Sequence, residues 1–242
     1  MNNPVDARDR LIVALDLADV PAARRLVHDL GNTVRFYKVG LSLQLADGVG
    51  ELISELIQTG RKVFLDYKYY DIPETLQKAV GRAAKLGVSF LTIHGSGTLI
   101  RAAVKAKGTS DLKLFTVTVL TSMDIDDMRD MGYTDHAVEN LVVYRSRMAM
   151  EAGCDGVIAS GLEVRKIKEL TQNKVLVVTP GIRPEGYGPD DQKRRVTPSD
   201  AVREGADYLV IGRPITEPPD GSPETAARRI VDEMQKAFDS LQ

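Results

Sequence analysis

Eight short runs of apolar, mostly β-branched residues recur along this chain. Between them lie stretches whose apolar residues fall at three- and four-residue spacing. Period-two or continuous apolar runs read as strands, and three-four spacing reads as helix. The spacing predicts strands at 11–15, 34–39, 63–65, 90–93, 114–119, 156–159, 175–178 and 208–211. It predicts helices at 20–30, 48–57, 76–86 and 136–152. Proline stands at expected helix starts in Ile72-Pro73, Thr197-Pro198 and Ser222-Pro223, where its missing N–H costs nothing. Thr197-Pro198-Ser199-Asp200 also has the form of a capping box.

Strands that are apolar throughout need cover on both faces, as in parallel sheets. Eight of them, each followed by helical material, close most naturally into a (β/α)8 TIM barrel, an α/β fold of about 250 residues. At 242 residues the expectation is a single barrel domain spanning 1–242. A doubly wound open sheet is the competing closure. The first strand, however, is followed by Asp16-Leu17-Ala18-Asp19, not by the glycine-rich turn of a dinucleotide fold.

Charge and cysteine usage exclude several function classes. A formal net charge of -2 argues against a nucleic-acid binder that works by bulk charge. A single cysteine, Cys154, cannot close an internal disulfide, which suggests a reducing, cytoplasmic compartment. No apolar run approaches membrane-spanning length, and the N-terminus lacks the pattern of a secretory signal.

The segment Asp66-Tyr67-Lys68-Tyr69-Tyr70-Asp71-Ile72-Pro73-Glu74 follows the apolar run Val63-Phe64-Leu65. In extended chain Asp66 and Lys68 share a face. A lysine among carboxylates is a cation, since nearby negative charge favours the ammonium. It is a poor nucleophile but a good proton donor to a very basic group, and a carbanion is such a group. Asp66, Lys68 and Asp71 therefore point to decarboxylation or a related proton transfer.

Barrel active sites lie at the C-terminal ends of the strands. Those ends give Asp16, Lys38, Asp66 with Lys68, His94, Thr121, Ser160, Arg183 and Gly212-Arg213. Each has a plainer reading: Lys38 as a solvated strand-end lysine, Asp16 as a turn former, His94 as a hydrogen-bonded structural histidine. Thr121 and Ser160 carry little alone. Arg183 and Gly212-Arg213 fall in the seventh and eighth loops, where barrels commonly hold phosphate. Glycine lets an anion approach the backbone and arginine offers a bidentate fork. The aperiodic stretch 180–197, long for a compact domain, reads as an active-site lid. His28, His94 and His136 have no metal-ligand spacing, and no cofactor fingerprint is present, so neither metal nor cofactor is expected.

The motifs D-x-K-x-x-D-I-P at 66–73, P-G-I-R at 180–183 and I-G-R-P at 211–214, with Ala14-Leu15-Asp16, Lys38-Val39-Gly40, Thr121-Ser122-Met123 and Asp191-Gln192, resemble the orotidine 5′-monophosphate decarboxylase family. Tyr67, Tyr69-Tyr70 and Glu74 depart from residues common there. The resemblance implies that Asp16 and Lys38 bind ribose hydroxyls, that Asp66 sits against a substrate carboxylate, and that Lys68 delivers the proton. It implies a homodimer in which Asp71 and Thr75, beside Ile72, reach the partner's site. Thr121 would meet the pyrimidine, and Arg183, Gln192, Gly212 and Arg213 the phosphate. Two alternatives remain open from the residues: a metal-dependent sugar-phosphate decarboxylase or synthase of the same superfamily, and a non-catalytic nucleotide sensor.

Overall fold

The structure is a computed structural model that describes residues 5–133, 137–188, 194–219 and 221–241. Eight parallel strands close in sequence order into a barrel: β1 Leu11–Ala14, β2 Phe36–Gly40, β3 Lys62–Tyr69, β4 Phe90–Ile93, β5 Lys113–Val117, β6 Gly156–Ile158, β7 Leu176–Thr179 and β8 Tyr208–Ile211. The seam is closed by β1 against β8, with Ile12 opposite Val210. The expected TIM barrel is therefore the observed one, and the open sheet is excluded.

The outer layer holds α1 Val20–Leu30, α2 Val49–Gln58, α3 Pro73–Leu86, α4 Gly97–Lys107, α5 Ile125–Asp130, α6 Val138–Glu151, α7 Val164–Thr171, α8 Pro198–Arg203, α9 Arg213–Thr216 and α10 Pro223–Asp239. The proline starts hold for α3, α8 and α10. Thr197 Oγ1 accepts from the Asp200 N–H (3.1 Å) and Ser222 Oγ from the Thr225 N–H (3.2 Å), so both caps satisfy a donor the helix cannot. The expected start of the 136–152 helix at His136 lies outside the described residues. Among the described residues, no helix is long and apolar enough to cross a membrane.

Two cores follow from strand alternation. One set of side chains packs outward under the helices, with Leu11, Val13, Tyr37, Val39, Leu91 and Val177 among them. The other fills the barrel: Ile12, Ala14, Phe36, Phe64, Phe90, Phe115, Val178 and Val210. Four of the chain's five phenylalanines stand there. Phe90 is the hub, with ring centroids 4.7 Å from Phe36, 5.8 Å from Phe64 and 4.6 Å from Phe115. Tyr208 meets it edge-on at 4.9 Å. Edge-to-face aromatic pairs add about 0.5–1.5 kcal/mol each beyond burial. Gly156 makes room, since a Cβ there would run into the Phe115 ring and the Leu176 carbonyl. Two residues beyond three of these rings, on the same inward phase, come Lys38, Asp66 and Thr92. The aromatic layer is the floor on which the polar layer stands.

The largest difference from the sequence expectation is β3. It runs to Tyr69 rather than stopping at 65, because its polar end faces the barrel mouth and remains in the sheet. Its pairing with β4 shifts register between Leu65 and Tyr69.

Candidate active site

Four side chains, Asp16 just past the end of β1, Lys38 on β2, and Asp66 and Lys68 on β3, form a row of alternating charge at the barrel mouth. Lys38 Nζ lies 2.9 and 3.2 Å from the two oxygens of Asp16 and 3.5 Å from Asp66 Oδ2. Lys68 Nζ lies 2.9 Å from Asp66 Oδ1. Asp66 thus sits between two ammonium groups. The Asp66 and Lys38 side chains are mostly buried, while Lys68 is 31% and Asp16 52% exposed.

Lys68 reaches Asp66 by an irregular backbone, not by simple alternation. Its φ is +49°, in a region that costs a residue with a Cβ roughly 1–2 kcal/mol. Strain of this kind gathers at functional positions. What holds it there is Thr92 on β4, a residue not singled out from the sequence. The Lys68 N–H donates to Thr92 Oγ1 (2.9 Å), and that hydroxyl donates to Asp66 Oδ1 (2.9 Å). One buried hydroxyl therefore fixes both the strained backbone and the carboxylate. Gly40 is a second residue missed as functional: a Cβ there would stand 2.8 Å from Lys38 Nζ and 2.9 Å from Asp16 Oδ1, so any side chain at 40 would displace that pair.

Burial alone would push the Asp66 carboxyl up. Lys38 and Lys68, with hydrogen bonds from Lys68 and Thr92, more than offset it and hold the group below the ordinary aspartate range. Hydrogen bonds to a charged group contribute about 1.5–3 kcal/mol each, so several together can exceed a desolvation cost of several kcal/mol.

The row opens into a cavity of about 520 Å³. Of the sequence-identified residues, Asp16, Lys38, Asp66, Lys68, Thr121, Arg183, Gly212 and Arg213 all line it. Arg183 is buried and donates to the Ile182 carbonyl (2.8 Å), with its guanidinium 5.4 Å over the Tyr187 ring. Arg213 opens the short helix α9 directly after β8. Asp71, Ile72 and Thr75 do not join the cavity within one chain. They are exposed, and the Asp71 carboxylate accepts the Ile72 N–H (2.6 Å). His94 and Ser160 stand outside the lining. His94 lies edge-on to Tyr70, and burial, then Arg145 and Lys68, push its imidazole pKa down. Ser160 is buried and accepts the Leu162 N–H (3.3 Å). Gln192 lies outside the described residues. Among the described residues, no three His, Cys, Asp or Glu side chains gather as a metal site.

Fold and site together define a (β/α)8-barrel enzyme with an acid–base row at its mouth. Residues 9–230 match the model of the orotidine 5′-phosphate decarboxylase / HUMPS family. A protein of Nitrobacter winogradskyi named orotidine 5′-phosphate decarboxylase is 54% identical over 96% of this chain and 95% of its own length. One of the same name from Methylococcus capsulatus is 45% identical over 98% and 96%. The crystal structure of orotidine 5′-phosphate decarboxylase from Lactobacillus acidophilus superposes with a TM-score of 0.80 at 36% identity, covering 93% of this chain and 98% of that one. The chain belongs to the orotidine 5′-phosphate decarboxylase / HUMPS family.

Proposed function

We propose that this cavity converts orotidine 5′-monophosphate to uridine 5′-monophosphate, a step of pyrimidine biosynthesis, and that Lys68 supplies the proton. The chain is a carboxy-lyase of that family, and the curated relatives described above carry that activity in their names. The observation that supports the residue roles is the row itself: an anion, Asp66, between two cations at the edge of a cavity that also holds Arg183 and Arg213.

Asp66 stands where the substrate carboxylate enters, so two anions share a confined place. Their repulsion falls as neutral carbon dioxide leaves. The bond from ring carbon to carboxyl breaks and its electron pair stays on the carbon. Lys68 stabilises that charge as it grows and then transfers a proton to it, becoming a neutral amine that solvent reprotonates. Only interactions stronger in the transition state than in the ground state speed the step. Asp16 and Lys38 hold the ribose hydroxyls, and Thr121 meets the pyrimidine.

Arg183, Gln192, Gly212 and Arg213 take the phosphate. A Cβ on Gly212 would meet only the Ala14 methyl at an ordinary 3.6 Å. The chain's own packing therefore does not demand glycine there, whereas a phosphate approaching the backbone would. Binding energy from the phosphate, remote from the reacting carbon, is available to tolerate the repulsion. Residues 180–197 act as the lid over it, on one barrel domain that spans 1–242. The protein works as a cytoplasmic homodimer, with Asp71 and Thr75 completing the partner's site. Tyr70 and Ile72, exposed to 71% and 64%, flank Asp71 in the chain and supply apolar surface there for a second copy.

The test is direct. Mixing the protein with orotidine 5′-monophosphate should remove the ultraviolet absorbance of the carboxylated pyrimidine, with or without a chelator. Activity lost on chelation would favour the metal-dependent synthases of the superfamily. Arg213→Ala should weaken binding of uridine 5′-monophosphate far more than of uridine; equal losses would remove Arg213 from the phosphate site.

A further inference from the structure

Arg194 and Glu163 form a buried ion pair that the row at the barrel mouth does not use. Arg194 Nη1 lies 2.5 Å from Glu163 Oε1, with the two side chains 12% and 7% exposed. The same guanidinium turns its Nη2 to two successive main-chain carbonyls, Leu120 (3.0 Å) and Val119 (3.3 Å). A third carbonyl in series, that of Thr118, accepts from Arg145 Nη1, and Arg145 is itself braced by the Tyr133 hydroxyl (2.8 Å). The chain leaving β5 therefore has its carbonyls held by two arginines from elsewhere in the fold. Val119, Leu120, Thr121 and Ser122 follow one another along the cavity wall.

Arg194 is held in turn from behind. Ser160 Oγ donates to its carbonyl (3.4 Å). Val196 bridges to Ile182 and accepts the Arg183 N–H (2.9 Å). Gly161 lies so close under Val196 that a Cβ would collide with it. The loops after β5, β6 and β7 meet at this point.

The pair is poorly built for stability. Glu163 Oε2 and Arg194 Nε are buried without a hydrogen-bond partner, and each such group costs about 1–3 kcal/mol. Burial pushes the Glu163 carboxyl up, and Arg194 offsets this only in part. A buried ion pair is weak evidence for stability, and this one retains two orphaned atoms. Placement of the carbonyls explains it better.

We infer that Arg194 is a positioning residue, anchored by Glu163, that sets the cavity wall carrying Thr121 and Ser122 against the base of the nucleotide. This rests on the reading of Thr121 as the residue that meets the pyrimidine. The test compares uridine 5′-monophosphate with ribose 5-phosphate, which lacks the base, as ligands in calorimetry. Arg194→Met should weaken uridine 5′-monophosphate by about tenfold or more while leaving ribose 5-phosphate within about twofold. Glu163→Gln, which keeps an acceptor for the guanidinium, should move the same ratio by less, and it serves if the methionine variant does not fold. Equal losses for both ligands would make Arg194 a phosphate contact or a general structural residue; no loss for either would overturn the assignment outright. Thr121→Ala separates the two readings. A base-selective loss there with none in the Arg194 and Glu163 variants sinks the positioning role alone. The converse keeps the role and removes Thr121.

Discussion

The barrel carries lysine–aspartate pairs at both ends, and they are finished differently. At the end where the strands begin, Lys107 meets Asp155 and Lys168 meets Asp207, each at 2.5 Å. Both carboxylates also accept a strand N–H, from Leu114 (2.8 Å) and Val177 (2.7 Å) respectively. Lys168 gives a further bond to the Val175 carbonyl (3.0 Å). These pairs tie helices α4 and α7 to the starts of β5 and β7 and spend their hydrogen-bonding capacity inside the protein. At the other end, Asp16, Lys38, Asp66 and Lys68 bond mainly to each other, and their free edges face a cavity. The same chemistry is a clamp when the backbone saturates it and a reactive row when it is left open to a ligand.

The largest effect expected from this contrast is at the open end. Lys68→Ala should lower kcat by about 10⁴-fold or more, since it removes both the proton donor and a charge beside the reacting carbon. Thermal stability should barely move, because Lys38 still pairs with Asp66. A variant that kept near-normal turnover would take Lys68 out of the chemistry. Lys168→Met makes the opposite cut. It leaves the partly buried Asp207, 22% exposed, with only its N–H partner, at a cost of about 3 kcal/mol, the lower end for a broken buried pair. For a chain of this size that lowers Tm by about 6–12 °C, with kcat unchanged. If Lys168→Met cost turnover and not Tm, the distinction between clamp and row would fail.

Thr92 crosses the boundary between the two kinds. It is buried and saturated like a clamp residue, yet both of its strong bonds end on the row. Thr92→Val keeps the shape and removes a donor to Asp66 and an acceptor for Lys68. It should therefore cost both quantities modestly: about 1–3 kcal/mol of stability and about tenfold in kcat. Loss of only one of the two would place Thr92 wholly on one side.

Which of these residues could be read from the sequence follows the same line. The strands were legible because a barrel covered on both faces needs uninterrupted apolar runs. The row was legible because charges at the ends of such runs have no packing reason to be there. β3 was cut short because its last four residues look polar, and polarity pointing into a mouth resembles a loop. Thr92 was nearly invisible: a threonine inside Phe90-Leu91-Thr92-Ile93 is an ordinary strand residue. Its one signal was phase, since it follows Phe90 by two as Lys38 follows Phe36 and Asp66 follows Phe64. The clamps were hidden by distance, with partners 48 and 39 residues apart. They do share a local sign, an aspartate directly ahead of a strand and two residues after a left-handed glycine, Gly153 or Gly205. Asp71 and Thr75 stood out as motif members, but one chain alone leaves them on the surface.

The smallest expected effect separates two buried carboxylates that differ only in their company. Asp66 has two lysines and a threonine hydroxyl, and its carboxyl is held below the ordinary range; Glu163 has one arginine, and burial holds its carboxyl above. Linkage turns these directions into opposite slopes. For Asp66 the unfolded chain binds the proton more readily. Its contribution is full above the unfolded value of about 4 and is lost as pH falls through the lower, folded value. For Glu163 the folded chain binds the proton more readily. That contribution is full below an unfolded value of about 4.3 and is lost as pH rises through the folded one. Urea unfolding of the protein against Asp66→Asn should show a stability difference that is flat above about pH 5 and declines in acid. Against Glu163→Gln the difference should instead decline on the alkaline side of about pH 4.3. Slopes of the same sign for both would mean that the two lysines do not govern Asp66, and the row would lose its claim to be electrostatically set apart from the rest of the barrel.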